Sequence, residues 1–170
     1  MSATRYLEDF RVGERWVSEP VTLSAEEIIA FGKANDPQPM HTDAGRALRG
    51  PFGSLVASGW QIAALSMHVF VQAGGYGETP VVGLGIDELR WLKPVRPGDR
   101  LVVEREIVES RRSETRADRG VLRTRVLVRN QHADIVMSLY TLSRVPACPD
   151  GSSAGSSTEA RKEDGSSCSR

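Results

Sequence analysis

The sequence has little cysteine and no net charge. Its 170 residues include two cysteines, Cys148 and Cys168, and its formal net charge at pH 7 is zero. Both cysteines fall in the C-terminal stretch, so the core is predicted to use none, and we expect neither a disulfide framework nor a thiolate metal site there. Balanced charge gives no electrostatic basis for binding nucleic acid or an anionic membrane surface, and neither is expected as a partner.

Two further absences bear on localisation. The N-terminal residues MSATRYLEDF lack the apolar run of a signal peptide, so the cytoplasm is the default compartment. No Asp, Glu, Lys or Arg occurs from Gly50 to Gly77. A transmembrane helix needs about 20 mostly apolar residues, but polar residues, among them Gln61, His68 and Gln72, interrupt this run. We favour a helix buried within a folded domain, with a membrane span as the alternative.

Turn, capping and helix-terminating residues in the first half of the chain predict a short strand and then a helix. The strand follows a turn at Gly13. Ser24 and Glu27 have the spacing of a capping box, which starts a helix. That helix must end near Asn35, because Pro37 disfavours helical geometry at the residue before it.

The uncharged helix is predicted from Leu55 to Ala73. Four strand candidates follow it, within residues 81–95, 100–112, 119–131 and 133–145, and several alternate between apolar and polar residues. Strands segregated from helices indicate the α+β class. We predict a single hotdog fold, in which an antiparallel five-stranded curved sheet wraps around a long central helix. One side of the helix and one sheet edge would stay uncovered, so we expect a homodimer or an assembly of dimers.

Composition divides the chain into a folded domain over residues 1–147 and a tail over residues 148–170. The tail is rich in Ser, Gly and charge and has almost nothing apolar. It cannot offset its ordering entropy by burial, so we expect it to be disordered.

The stretch NDPQPMH places an acid, Asp36, five residues before a histidine, His41, with two prolines between them. Prolines restrict the backbone, so the relative placement of the two side chains is predicted to be controlled. Taken singly, Asp36 could cap a turn and His41 could be a hydrogen-bonded core histidine.

Four stretches resemble the MaoC-like dehydratases, also known as the (R)-specific enoyl-CoA hydratase family: NDPQPMHTDAGRA, GPFGSLVASGW, GLGIDELRWLKPVRPGD and VRNQ. The resemblance covers most of Tyr6 to Val145 and makes 1–147 a MaoC-like hotdog domain. It implies a hydro-lyase that acts on the 2,3 bond of an acyl thioester, commonly a coenzyme A ester. Coenzyme A would then be part of the substrate, with no further cofactor and no metal expected.

The resemblance also assigns roles. It makes Asp36 and His41 the catalytic pair and gives the backbone amide of Gly59 to the thioester oxygen. Gln38 stands where asparagine is common in that family, so the resemblance does not specify the acyl group of the substrate. The residues predicted to bind substrate are Gln38, Ser58, Trp60, Gly83 and Gly85.

The chemistry needs a base for water, a group that orients the water and a donor for the thioester oxygen. Asp36 can be the base, with a pKa that partial burial would raise. His41 can share the water, and Gly59 at a helix start exposes an unused amide. Gly83 and Gly85, in a predicted strand, would allow close passage of the central helix or of the acyl chain.

Several other residues have structural interpretations. Asp43 is predicted to cap a short helix that follows His41, and Ser58 is predicted to be a helix cap as well as a substrate contact. His68 is expected to pack or lie at an interface, and His132 to be exposed. The sequence does not decide whether Trp91 or Arg90 lines the site, and it leaves the roles of Arg129 and Asn130 open.

Two other functions compete with a hydro-lyase. Hotdog thioesterases usually carry their acid on the long helix, and here that helix has no carboxylate. A non-catalytic acyl-binding or partner subunit is disfavoured because both Asp36 and His41 are present.

Overall fold

A computed structural model of the chain describes residues 4–148, so most of the predicted tail lies outside the described residues. The elements, in chain order, are a 3₁₀ helix (Leu7–Asp9), strands β1 (Arg15–Val17) and β2 (Val21–Thr22), helices α1 (Ala25–Asn35), α2 (Pro39–Thr42), α3 (Ala44–Ala47) and α4 (Gly59–Gln72), and strands β3 (Val82–Trp91), β4 (Arg100–Arg112), β5 (Arg119–Arg129) and β6 (Ile135–Pro146).

The strands form one antiparallel sheet in the order β1-β4-β5-β6-β3, with β2 also paired to β4. The predicted α+β hotdog architecture is confirmed. The sheet has six strands rather than the predicted five, because the N-terminal strand is broken between Val17 and Val21. Pro20 lies in the break, and proline has no N–H to continue a ladder.

The core lies between the sheet and the two longer helices. Strands β4, β5 and β6 alternate between buried and partly exposed residues, as a sheet with one covered face requires. Their buried side chains pack with those of α1 and α4. The principal members are Ile28, Ile62, Leu101, Val103, Val126, Val128, Met137 and Leu139.

Helix α4 begins at Gly59. The sequence predicted a start at Leu55, four residues too early. The preceding residues are held by their backbones instead: the N–H of Val56 donates to the Met40 carbonyl (3.1 Å) and that of Ala57 to the Val95 carbonyl (2.8 Å). This segment is therefore held between α2 and the connection from β3 to β4, and the helix starts where the segment ends.

Within residues 4–148, only one side of α4 is covered by other elements. Gln61, Ile62, Ser66 and Phe70 are buried, whereas Trp60 and Val71 on the same helix are 54% and 52% exposed. His68, for which packing or an interface contact was expected, is also exposed within the single chain. Between residues 4 and 148, no helix has the length and hydropathy needed to cross a membrane.

Cys148 is a correction to the predicted boundary of the core. The sequence placed it first in the tail, but its residue is only 2% exposed, and its N–H donates to the Glu8 carboxylate at 2.9 Å. The C-terminal end of β6 carries the chain beneath the 3₁₀ helix, so this cysteine belongs to the folded part.

Candidate active site

Two prolines fix the segment between α1 and α2. Pro37 follows Asp36, the C-cap of α1, and Pro39 is the first residue of α2. The N–H of Asp36 closes α1 by donating to the Gly32 carbonyl (2.9 Å), and the N–H of His41 donates to the Gln38 carbonyl (2.9 Å). Because proline fixes its own backbone angle, the two functional side chains lie on adjoining helix ends with few alternatives.

Gly32 brings these two helices close together. A Cβ built on Gly32 would lie 2.5 Å from the His41 carbonyl oxygen, so no larger residue fits without moving α2. The sequence analysis missed this position. Its signal was a glycine inside an amphipathic helix, where glycine costs about 1 kcal/mol relative to alanine and so calls for a packing reason.

Asp36 and His41 face each other. Their closest atoms, Asp36 Oδ2 and His41 Nε2, are 3.4 Å apart. On the other side of the ring, His41 Nδ1 lies 2.8 Å from the Val56 carbonyl oxygen. A carbonyl only accepts, so Nδ1 carries the proton, and Nε2 of the neutral ring is an acceptor. Two acceptors then face each other, and a water molecule placed beside the pair can donate one O–H to each.

Two donors hold the Asp36 carboxylate. Ser58 Oγ donates to Oδ2 at 2.6 Å, and Gln38 Nε2 donates to Oδ1 at 2.9 Å. The Ser58 hydroxyl and then the Gln38 amide lower the pKa of Asp36 below its ordinary value; partial burial opposes this, and the charge of His41 adds to it when that ring is protonated. The sequence expectation of a raised pKa is therefore wrong, because hydrogen bonds outweigh desolvation. Asp36 is ionised at neutral pH.

The first residue of α4 offers an unused donor. Ser58 caps the helix, with its Oγ accepting from the N–H of Trp60 at 3.3 Å. Over residues 4–148, the N–H of Gly59 has no hydrogen-bond acceptor. The positive end of the helix dipole adds to this donor. This amide can stabilise an oxygen on which negative charge develops.

These groups open onto one cleft of about 370 Å³. Asp36, His41 and Gly59 line it, and so do three of the predicted substrate contacts, Gln38, Ser58 and Trp60, together with Trp91. Arg90 does not line it. The sequence analysis missed apolar walls contributed by distant segments, namely Met40, Phe52, Val56, Val95 and Val136.

Gly83 and Gly85 are not brought to this cleft. They lie on β3, the outermost strand, and a Cβ on either would meet nothing within 4 Å. The predicted close passage of the central helix is therefore absent from the described chain. Both glycines are exposed, so no other element within residues 4–148 covers the faces of β3 at these positions.

Other residues singled out in the sequence have structural roles. The Asp43 side chain caps α3 by accepting from the N–H of Arg46 at 2.9 Å. Asn130 Oδ1 accepts two backbone N–H groups within the β5–β6 turn, where His132 is exposed as predicted. Arg129 pairs with Glu104 at 2.9 Å.

The sheet order and the central helix define a hotdog protein. Residues 10–129 match the model of the family described as MaoC like domain. The chain therefore belongs to the MaoC-like dehydratase family, as the sequence motifs indicated.

Individual relatives agree with this assignment. The crystal structure of the MaoC-like dehydratase from Rhodospirillum rubrum is 36% identical, with a TM-score of 0.75 over 85% of this chain and 98% of that one. Bacillus subtilis YdeM is 30% identical over 74% of this chain and 87% of its own length. The 3-hydroxyacyl-thioester dehydratase Z of Mycobacterium tuberculosis is 34% identical over 49% of this chain; the match spans 57% of that protein.

Proposed function

We propose that the protein is a hydro-lyase that adds water to, or removes it from, the 2,3 bond of an enoyl or 3-hydroxyacyl thioester, with coenzyme A as the carrier. The observation that carries this proposal is the convergence of Asp36, His41 and the unpaired Gly59 N–H on one cleft. The relative from M. tuberculosis, named for a 3-hydroxyacyl thioester, supports the substrate class.

In the hydration direction, a water held between Asp36 and His41 attacks C3 of the enoyl thioester. The carboxylate accepts a proton from this water as the C–O bond forms. Negative charge moves to the thioester oxygen, which accepts a hydrogen bond from the Gly59 N–H. Transfer of that proton from Asp36 to C2 completes the reaction and returns the carboxylate to its ionised form, so the net change is OH on C3 and H on C2.

The lowered pKa of Asp36 changes how the base must work. A carboxylate with a lowered pKa is a weaker base for water, but it stays ionised over a wider pH range. Its contribution rests on placement: the Ser58 and Gln38 hydrogen bonds fix both carboxylate oxygens, and a displacement of about 1 Å at such a site can cost about 100-fold in rate.

Crotonyl-CoA is the substrate for the direct test. Purified protein is incubated with it, and the enoyl absorbance and free thiol are followed together. Loss of absorbance without free thiol is the expected result. Release of thiol would instead identify a thioesterase. No change with crotonyl-CoA or with a panel of longer enoyl thioesters would contradict the proposal and favour a binding subunit.

Ser58→Ala is expected to move the acidic limb of the pH–rate profile to higher pH. The hydroxyl of Ser58 is the largest cause of the lowered pKa of Asp36. Without it the carboxyl group protonates at higher pH, and because only the ionised form is a base, activity is lost earlier as the pH falls. The profile of kcat/KM against pH for crotonyl-CoA measures this shift.

Ser54→Ala is the matched control, because Ser54 contacts Arg96 outside the cleft and not Asp36. Its acidic limb should coincide with that of the wild type. A carbon-13 NMR titration of the Asp36 carboxyl group gives a readout that does not depend on activity. An unchanged carboxyl pKa in Ser58→Ala would contradict the assigned cause.

We also propose that the protein is a homodimer, or an assembly of dimers, that covers β3 and the open side of α4. Strand β3 is an edge of the sheet, and its Leu84 and Ile86 are 54% and 50% exposed. This edge strand is ten residues long, and its first half carries no charge, so it can pair with a second strand. Analytical ultracentrifugation should give at least twice the 18.6 kDa mass of one chain; a monomer at micromolar concentration would refute this.

A further inference from the structure

Trp91 lies flat against Gly59, the residue whose amide faces the cleft. A Cβ built on Gly59 would lie 2.3, 2.4 and 2.6 Å from Cε2, Nε1 and Cδ2 of Trp91. Similar distances to three atoms near the junction of the two indole rings place that Cβ over the face of the indole. The contact exists only because Gly59 has no side chain.

A β-bulge aims Trp91 at this position. Asp87 is paired with Tyr140 and Arg90 with Ser138, so three steps along β3 match two along β6. Glu88, inside the bulge, has a φ of 53°, a left-handed conformation that non-glycine residues seldom adopt. The extra residue puts Trp91, rather than Arg90, opposite the buried Met137.

The rest of the indole is available to a ligand. Trp91 is 50% exposed and lines the cleft. Trp60, from α4, meets it edge to face with ring centroids 5.2 Å apart and an angle of 77° between the planes. Two large aromatic residues therefore form one wall beside the Gly59 amide, and the edge-to-face contact restrains the ring of Trp91.

An acceptor bound to the Gly59 N–H would lie about 2.9 Å from that nitrogen. The carbonyl carbon of a thioester is then about 1.2 Å further on, flanked by sulfur and by C2. The indole of Trp91 packs against the Cα next to that nitrogen. The sulfur and C2 of a bound thioester would therefore lie close to the indole ring. A substituent on C2 has to share this space with Trp91.

We propose that Trp91 determines specificity at C2: it accepts acyl thioesters with an unsubstituted C2 and rejects those with a branch there. The proposal rests on the hydro-lyase function proposed above. It assigns to Trp91 a steric role in choosing the substrate, beside the chemical roles of Asp36, His41 and Gly59.

The test compares crotonyl-CoA with 2-methylcrotonyl-CoA in the wild type and in Trp91→Leu. We expect the wild type to prefer crotonyl-CoA and the variant to lower that preference at least about tenfold in kcat/KM, because one methyl group in a tight pocket is worth about 10- to 200-fold. Comparing the ratio between proteins cancels the lower intrinsic reactivity of the branched substrate.

Arg90→Leu is the matched control. It introduces leucine, as Trp91→Leu does, but one position earlier and on the opposite face of β3. Its preference should equal that of the wild type. An unchanged preference in Trp91→Leu, or equal use of both substrates by the wild type, would overturn the inference and leave the hydro-lyase function intact. A wild type that hydrates neither of these substrates nor any longer enoyl thioester would overturn both. If Trp91→Leu does not fold, Trp91→Phe, whose ring is smaller, is expected to lower the preference in the same direction by a smaller factor.

Discussion

Replacing Asp36 with asparagine is expected to lower kcat/KM for crotonyl-CoA about 1,000-fold. Asparagine matches aspartate in size, but its amide is not a base that can take a proton from water, and a positioned general base contributes about 100- to 10,000-fold. The loss should fall mainly on kcat, because the apolar cleft walls that would hold the acyl group are unchanged. Stopped-flow absorbance of the enoyl group measures both constants.

Asp43→Asn serves as the control for this variant. Asp43 lies seven residues along the same segment, but its side chain caps α3 and does not line the cleft. Asparagine is an equally good cap, so stability and activity should both match the wild type. Activity within tenfold of wild type in a folded Asp36→Asn protein would remove Asp36 from the proposed mechanism.

Gly59→Ala is expected to reduce activity about 100-fold and to destabilise the fold. Alanine keeps the backbone N–H, but its Cβ would penetrate the indole of Trp91. Either the ring or the start of α4 must move, and misplacing the amide by about 1 Å costs about 100-fold in rate. Overpacking of this kind typically costs about 1–3 kcal/mol of unfolding free energy, which urea denaturation can measure.

A double-mutant cycle with Trp91→Ala isolates the cause. In the Trp91→Ala background the Cβ has free space, so Gly59→Ala should be neutral or slightly stabilising, since alanine is the better helix former. An equal stability loss in both backgrounds would show that Trp91 is not what requires glycine at this position.

Local signals predicted most of the secondary structure. The Ser24–Glu27 capping box starts α1, with the Glu27 N–H donating to Ser24 Oγ at 3.1 Å. The predicted strand at residues 100–112 agrees with β4 at both ends. Alternating patterns and caps depend on neighbours in sequence, so one chain contains the information needed to read them.

The predictions that were wrong concern features that depend on contacts between residues far apart in the chain. The direction of the Asp36 pKa is set by Ser58, 22 positions away, and no local pattern joins those two residues. From composition alone, the segment before α4 was predicted to be helical. It is extended instead, because the carbonyls of Met40 and Val95 accept hydrogen bonds from its backbone. Tertiary hydrogen bonds override local preference in both cases.

The irregular step in β3 makes the register of that strand a determinant of the pocket. If β3 paired with β6 without the bulge and kept all its residues, Arg90 would lie opposite Met137. A cation would then replace a flat apolar surface beside Gly59. The formation of the bulge alone therefore decides between a charged and a hydrophobic lining, with every residue of β3 retained.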